Sequence, residues 1–295
     1  MKKLSKQSFD EIRLWIYRNA RPLDLALWHY HFENGSKEAV LSILSYYQNS
    51  DGGFGNTLEP SGWSAKSTPY NAWFAVRILR MIDFVDTTHA IYQGIFRYLE
   101  NTEYKADFGW FFITPGRGWE DRECENDFQS IGITAILSGL IIRYSEKQSR
   151  IYKMAYEYTK MLIKKLPTTQ FGDMGIQGYC KLMEDIEGAG MTEEFDYPYL
   201  CRKMQDVVCK KIHDKSNNFF MENPLAFIYS PSSKFYEENK LEVEAALDRI
   251  INQKPESGVW DIPWKEESAI SENWWKSFEA IQKLLQLKRF GRLAN

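Results

Sequence analysis

Residues 48–63 read Gln-Asn-Ser-Asp-Gly-Gly-Phe-Gly-Asn-Thr-Leu-Glu-Pro-Ser-Gly-Trp, and they join an amphipathic segment to an almost wholly apolar one. Their glycines and small polar residues are typical of a turn between two helices. Residues 253–260, Gln-Lys-Pro-Glu-Ser-Gly-Val-Trp, repeat the order, with an acidic residue three positions after the glutamine and a glycine five positions after it. Two copies about 200 residues apart predict a repeated helix–loop–helix architecture.

Helix-like segments follow one another along the chain and alternate in character. Residues 67–82 and 128–143 are apolar on nearly every side, as buried helices are, whereas the segments beside them carry a charged face. This alternation favours a ring of helical hairpins, in which outer helices face water and inner helices are enclosed. Only residues 108–113 resemble a short strand. The predicted helices, roughly twelve in six pairs, cover residues 8–19, 23–33, 36–48, 67–82, 88–101, 128–143, 150–166, 174–187, 193–213, 224–229, 238–252 and 271–288.

The composition excludes several classes of protein. The 295 residues carry a formal charge of −3, whereas nucleic-acid-binding proteins usually have a basic excess. No run of about 18 uncharged apolar residues occurs, so no membrane span is expected, and the basic N-terminus lacks the apolar stretch of a secretory signal. A cytoplasmic location is expected because scattered cysteines are typical of reduced thiols; these are Cys124, Cys180, Cys201 and Cys209.

The glutamine–glycine–tryptophan spacing resembles the QW-type repeats of terpenoid cyclases and protein prenyltransferases. The residues that carry it are Gln253, Gly258 and Trp260, and in part Gln48, Gly53 and Gly55. Residues 53–60 and 77–79, with the terminal Trp275 and residues 290–293, are similar to a group of bacterial prenyltransferase-like proteins without an established activity. The resemblance implies an all-α fold, an (α/α)6 toroid of six helical hairpins, in a single domain over residues 1–295.

The chemistry of those families is mostly absent from this chain. The Asp-rich DxDD motif of class II terpenoid cyclases does not occur, and residues 121–124, Asp-Arg-Glu-Cys, differ in spacing from the zinc-binding Asp-x-Cys pair of protein prenyltransferases. His29 and His31 lie two positions apart, so on a helix their side chains diverge. Cys209 and His213 form a workable pair but lack further ligands. We therefore expect neither a metal nor a cofactor.

The glutamine-containing loops are interpreted as scaffold. A glutamine amide can bond backbone groups at a helix end, and the glycines permit the turn; this applies to Gln48 and Asp51 and to their counterparts Gln253 and Glu256. Glu59 follows the first turn and precedes a buried helix. Its carboxylate either faces the mouth of the ring as a functional group or interacts favourably with the positive N-terminal end of the dipole of that helix.

The densest acidic cluster covers residues 118–127, ahead of another buried helix. Asp121, Glu123 and Asp127 join Glu59 as candidate catalytic residues, because paired carboxylates can divide acid and base roles. The alternative is a solvated loop in which Asp127 caps the helix. Aromatic side chains beside carboxylates suit sugar rings or carbocations, so the candidate substrate-binding residues are Trp63, Tyr70, Trp110, Trp119, Trp264 and Trp274.

Three functions are compatible with these observations. The only partner expected is a small-molecule ligand. The first is an enzyme or enzyme-like protein that binds a small organic or isoprenoid-like molecule in a central cavity. The second is a carbohydrate hydrolase or lyase of the (α/α)6 type. The third is a ring that binds or scaffolds without catalysis. Near the C-terminus, the basic residues Lys288, Arg289 and Arg292 are expected to form a solvated turn.

Overall fold

The computed structural model describes residues 1–113, 128–166, 172–213, 224–256 and 258–294. Helices dominate these ranges, and two short antiparallel strands, β1 (Lys105–Ala106) and β2 (Gly109–Trp110), form the one sheet described. The predicted all-α class is therefore confirmed. The α-helices are α1 (Lys6–Asn19), α2 (Pro22–Phe32), α3 (Lys37–Ser45), α4 (Pro69–Met81), α5 (Ala90–Asn101), α6 (Phe128–Tyr144), α7 (Arg150–Lys165), α8 (Asp173–Gly188), α9 (Tyr197–His213), α10 (Lys240–Asn252) and α11 (Ala269–Arg289).

Hydroxyl side chains cap the N-termini of several of these helices. Ser36, directly before α3, accepts a hydrogen bond from the backbone N–H of Ala39 at 3.2 Å. Thr68 caps α4 through Asn71 N–H at 3.1 Å, and Ser149 caps α7 through Tyr152 N–H at 3.2 Å. Such a bond satisfies one of the backbone donors left free in the first turn of a helix.

The chain divides into two compact units, which we call the central unit (residues 44–207) and the terminal unit (residues 1–43 and 208–295). In the central unit, α6 packs against α4, α7, α8 and β2. Helices α6 and α8 touch backbone to backbone, since a β-carbon at Gly178 would lie 2.5 Å from the carbonyl oxygen of Gly132. The predicted burial of α4 and α6 is confirmed: both are enclosed along most of their length.

In the terminal unit, α11 packs against α1 and α2. The two chain ends lie side by side, because Leu4 N–H donates to Arg292 O at 2.8 Å and Ala294 N–H donates to Leu4 O at 2.9 Å. Residues 224–229, predicted as one of the helical pieces, begin with a 3-10 turn at Pro224–Ala226 and form no α-helix. The single-domain prediction for residues 1–295 stays a prediction.

The expected solvated turn at the C-terminus is wrong for Arg292. This side chain is buried and bonds to Asp248 Oδ1 at 2.8 Å and to Glu244 Oε2 at 2.6 Å. Lys288 and Arg289 are exposed as expected, although Lys288 also donates to the carbonyl of His31 at 2.7 Å. Arg292 differs from Lys288 and Arg289 because α10 packs beside it and supplies both carboxylates, which lie more than 40 residues away in sequence.

No helix within the described ranges is both long enough and apolar enough to cross a membrane.

Candidate functional site

The loop between α3 and α4 is held by its own polar side chains. Gln48 Nε2 donates to the carbonyl oxygens of Gly52 at 2.9 Å and of Ile91 at 3.0 Å. Ile91 lies in the first turn of α5, so the glutamine joins the loop to the following hairpin. Asp51 Oδ1 accepts hydrogen bonds from Gly53 N–H at 2.9 Å and from the Ser67 hydroxyl at 2.8 Å. These contacts support the interpretation of Gln48 and Asp51 as scaffold.

Two glycines let this loop reach α5. Gly52 has a φ of +93°, and a β-carbon there would lie 2.2 Å from the carbonyl oxygen of Gly94. A β-carbon at Gly94 would in turn lie 2.3 Å from Gln48 Nε2. Any side chain at either position would separate the loop from the helix, because such contacts are far below van der Waals distance.

The second copy of the loop does not repeat these contacts. The Gln253 side chain is exposed and makes no hydrogen bond with the described part of the chain, and Glu256 is also exposed. What the second copy provides is Trp260, whose indole N–H donates to Ile250 O in the last turn of α10 at 2.8 Å. The predicted scaffold role for Gln253 is therefore wrong, since its amide has no buried backbone group to bond.

We expect Gln48→Ala to lower the free energy of unfolding by about 1–3 kcal/mol, because two partly buried carbonyls lose their donor. Gln253→Ala is the matched control, and its effect should stay within about 0.5 kcal/mol because the side chain is solvated. Urea unfolding followed by circular dichroism measures both. Equal losses for the two variants would contradict the difference between the loops.

Glu59 lies in a tight turn and is buried. Its carbonyl oxygen accepts from Gly62 N–H at 3.0 Å, and a β-carbon at Gly62 would lie 3.1 Å from Glu59 Oε2. The carboxylate therefore folds back over the turn that precedes α4. Trp63, the next residue along, is 57% exposed. A buried carboxylate and an exposed indole thus stand within five residues of each other.

Helix α4 carries a group of side chains that we call the α4 aromatic face: Tyr70, Trp73, Arg77 and, from the segment after β2, Phe112. The rings of Tyr70 and Trp73 stack with centroids 5.4 Å apart and planes at 16°, and Phe112 lies 4.4 Å from Tyr70. The Arg77 guanidinium lies 5.9 Å from the Trp73 ring centroid. Such a contact between a cation and an aromatic face is favourable.

This face is the partly open side of an otherwise buried helix. Ten of the 13 residues of α4 are buried, and the remaining three are Tyr70, Arg77 and Arg80. Arg80 is bound to Asp185. Tyr70 and Arg77 are seven residues apart and therefore share one side of the helix. Tyr70 was predicted from the sequence and Arg77 was not, although an arginine seven residues after a tyrosine in an apolar helix is a signal that the sequence contains.

Trp110 has a structural position rather than a place on an open surface. It is fully buried, and its indole N–H donates to Leu99 O in the last turn of α5 at 2.9 Å. Its backbone N–H donates to the Thr134 hydroxyl at 3.0 Å. Trp110 thus bonds a carbonyl in the last turn of α5, as Trp260 does in α10. Because its ring is fully buried, it is not available to contact a ligand. The sequence contains a signal for this shared role, because each tryptophan follows the end of its helix by a similar number of residues.

The other two described tryptophan candidates lie in the terminal unit. Trp264 donates its indole N–H to Glu266 Oε1 at 2.7 Å and meets Trp275 edge to face at 5.2 Å. Trp274 is half-buried, with the Arg21 guanidinium 5.9 Å from its ring centroid. Glu59, Trp63 and Tyr70 belong to the central unit. The remaining candidates, Asp121, Glu123, Asp127 and Trp119, lie outside the described residues.

His31, in α2, has an acid-sensitive environment. Burial, together with the nearby charges of Lys288 and Arg289, lowers the pKa of its imidazole from 6.5 to about 4. Its Nε2 atom is buried and has no hydrogen-bond partner among the described residues. The fold therefore favours the neutral imidazole.

We expect this histidine to make the protein less stable in acid. Because the pKa in the folded state lies below that of the unfolded chain, the stabilisation is present above about pH 6.5 and is lost as the pH falls toward 4. Urea unfolding at pH 7 and pH 4.5 should show a smaller loss for His31→Gln than for the wild type. An identical loss in both proteins would show that other groups cause the acid sensitivity.

Within the described ranges, no three His, Cys, Asp or Glu side chains form a group that could hold a metal ion. The expectation of no metal stays a prediction.

Comparison with known proteins yields no relative: no protein-family profile, no curated protein and no solved structure matches this chain.

Proposed function

We propose that the protein binds a small organic molecule, isoprenoid-like or aromatic with an anionic group, on the α4 aromatic face. The observation that carries the proposal is the partly exposed Tyr70, which stacks on the buried Trp73, beside the partly exposed Arg77 on a buried helix. Stacked rings offer a flat apolar surface, and a guanidinium stays charged and binds carboxylate or phosphate with paired hydrogen bonds. Glu59 remains the proposed acid–base group in the described part of the chain.

The six-hairpin ring is likewise a proposal. Its support is the sequence pattern, together with the alternation within the central unit of the enclosed helices α4 and α6 with the amphipathic helices α5 and α7. A cytoplasmic location is also proposed. The three described cysteines, Cys180, Cys201 and Cys209, are unpaired thiols, which suits a reducing compartment.

Binding can be tested with two farnesyl compounds that differ only in the anionic group and with a sugar as the contrasting ligand. Farnesyl diphosphate carries both an apolar chain and an anion, farnesol carries the chain alone, and cellotriose carries neither. Isothermal titration should rank the diphosphate first. Arg77→Gln should weaken diphosphate binding by about tenfold while farnesol binding changes little, because only the charge-assisted bonds are lost.

Arg150→Gln is the matched control, since Arg150 is an exposed arginine of the same unit. Its binding should equal that of the wild type. Tyr70→Leu should weaken both farnesyl compounds, because the stacked surface is lost. Absence of binding by all three ligands, or equal binding by wild type and Arg77→Gln, would reject the proposed site.

A second candidate function, carbohydrate binding, is favoured by the exposed indole of Trp63 close to the buried carboxylate of Glu59. Exposed tryptophan rings serve as platforms for sugars. If cellotriose binds, if Trp63→Ala abolishes this binding and if Arg77→Gln leaves it unchanged, the carbohydrate function replaces the first proposal.

A further inference from the structure

Three side-chain donor atoms converge within the terminal unit, and none of them belongs to the α4 aromatic face. The Tyr17 hydroxyl of α1 lies 2.5 Å from Glu33 Oε2 and 3.0 Å from His29 Nε2. His29 Nε2 and Glu33 Oε2 are 3.6 Å apart. His29 belongs to α2 and Glu33 follows its last residue, so the two stand four positions apart on one side of the helix.

Neighbouring groups hold two of these donors in place. Trp28 Nε1–H donates to Glu33 Oε1 at 2.8 Å, which leaves Oε2 turned toward Tyr17 and His29. Gly35 N–H donates to His29 O at 2.8 Å, and a β-carbon at Gly35 would lie 2.8 Å from His29 Cβ. Sites on helices whose donors are oriented by surrounding groups are the ones that bind ions well.

We propose that Tyr17, His29 and Glu33 form a binding site for a divalent transition-metal ion such as Zn²⁺ or Cu²⁺. An ion about 2.0–2.2 Å from each donor needs donor–donor distances of roughly 3–3.6 Å. The two distances to His29 Nε2, 3.0 and 3.6 Å, lie in this range. The shorter Tyr17–Glu33 contact is a hydrogen bond, and it lengthens once the ion replaces the phenolic proton.

The binding step is balanced without oxidation or reduction. The phenol releases its proton to solvent, and the phenolate oxygen, the neutral imidazole nitrogen and the carboxylate oxygen each donate a lone pair to the ion. Water fills the remaining positions. One imidazole with oxygen donors favours zinc or copper over magnesium or calcium, which prefer oxygen alone.

Solvent reaches the three donors. Tyr17 is 50% exposed, and the side chains of His29 and Glu33 are 40% and 25% exposed. A cation also lies near: the charge of Arg13 acts on both Tyr17 and Glu33. The positive charge of Arg13 should oppose a bound metal ion. Removing this charge should therefore tighten metal binding, an effect that is not expected if the three side chains bind no metal. The spacing of histidines and cysteines in the sequence does not indicate this site, because a tyrosine from another helix completes the set of donors.

The test uses the full-length protein, titrated with ZnCl₂ by calorimetry and with CuCl₂ by visible absorption. We expect one equivalent of each metal to bind, and a phenolate-to-copper charge-transfer band to appear. Tyr17→Phe should abolish that band. Separately, His29→Asn and Glu33→Gln should each weaken zinc binding by about 10–100-fold.

His213→Asn is the matched control, because His213 Nδ1 also lies 3.5 Å from a glutamate, Glu242, on the surface of the same unit. It should leave both titrations unchanged. Arg13→Gln, which removes no donor, should tighten zinc binding by about threefold. A missing charge-transfer band, or zinc affinity that is equal in the wild type, His29→Asn and Arg13→Gln, would overturn the proposed site.

Discussion

Replacement of Asp185 by asparagine should lower the free energy of unfolding by about 3–5 kcal/mol, because it removes the buried carboxylate that is the counter-ion of two partly buried arginines. The carboxylate of Asp185 is fully buried, with Oδ2 2.5 Å from Arg80 Nη2 and Oδ1 3.4 Å from Arg143 Nη1. Gly188 makes room for the second arginine, since a β-carbon there would lie 2.3 Å from Arg143 Cζ. Guanidinium chloride unfolding, followed by circular dichroism, measures the loss.

Glu157→Gln is the matched control in the same unit. Glu157 pairs with Lys160 at 3.1 Å, but both side chains are more than half exposed, so the change should cost less than about 1 kcal/mol. The double variant Arg80→Met/Asp185→Leu should recover part of the loss, because apolar replacement removes the desolvation cost of both charges. Similar losses for Asp185→Asn and Glu157→Gln would contradict the special weight given to the buried carboxylate.

The second large effect is expected at Arg292, where methionine should reduce the free energy of unfolding by about 2–4 kcal/mol. Methionine fills the buried space of the side chain, but Glu244 and Asp248 then lose their shared cation. The link to the N-terminus is lost as well, because Arg292 also donates to Lys2 O. The range is lower than for Asp185 since both carboxylates are partly exposed.

Arg289→Met provides the comparison, as Arg289 is an exposed arginine three residues earlier. Its effect should stay within about 0.5 kcal/mol. Urea unfolding of both variants in low salt and in 0.5 M NaCl should show that salt reduces any difference for Arg289 more than for Arg292, because buried pairs are screened less. Equal stabilities of the two variants would mean that the buried arginine contributes nothing.

Much of the helical structure was predictable, because helices depend on local signals. The predicted helix over residues 67–82 is observed as Pro69–Met81, and the predicted helix over residues 150–166 as Arg150–Lys165. The first is apolar on nearly every side and the second carries one charged face, and hydroxyl N-caps, Thr68 and Ser149, precede both; all of these signals involve residues close together in sequence. The strand β2 (Gly109–Trp110) lies within residues 108–113, the segment predicted to resemble a short strand, whereas β1 was not predicted.

The candidate site was predictable only where its members lie on one helix. Tyr70 and Arg77 share a side of α4 because of their spacing. Trp110 was misread, because aromatic composition does not reveal that its indole N–H reaches Leu99 O. Likewise, Gln48 and Gln253 have the same sequence context, yet only Gln48 meets the backbone of another helix.

The sequence by itself therefore determined the helical class, most helix boundaries and which helices are enclosed, since periodicity and capping are properties of neighbouring residues. Only the tertiary structure decided which polar side chains are buried and what they bind. Asp185 meets Arg80 across 105 residues, and Tyr17 meets Glu33 from a different helix. Such pairs depend on the packing of distant segments, and the desolvation that gives a buried charge its energetic weight arises only once those segments are packed.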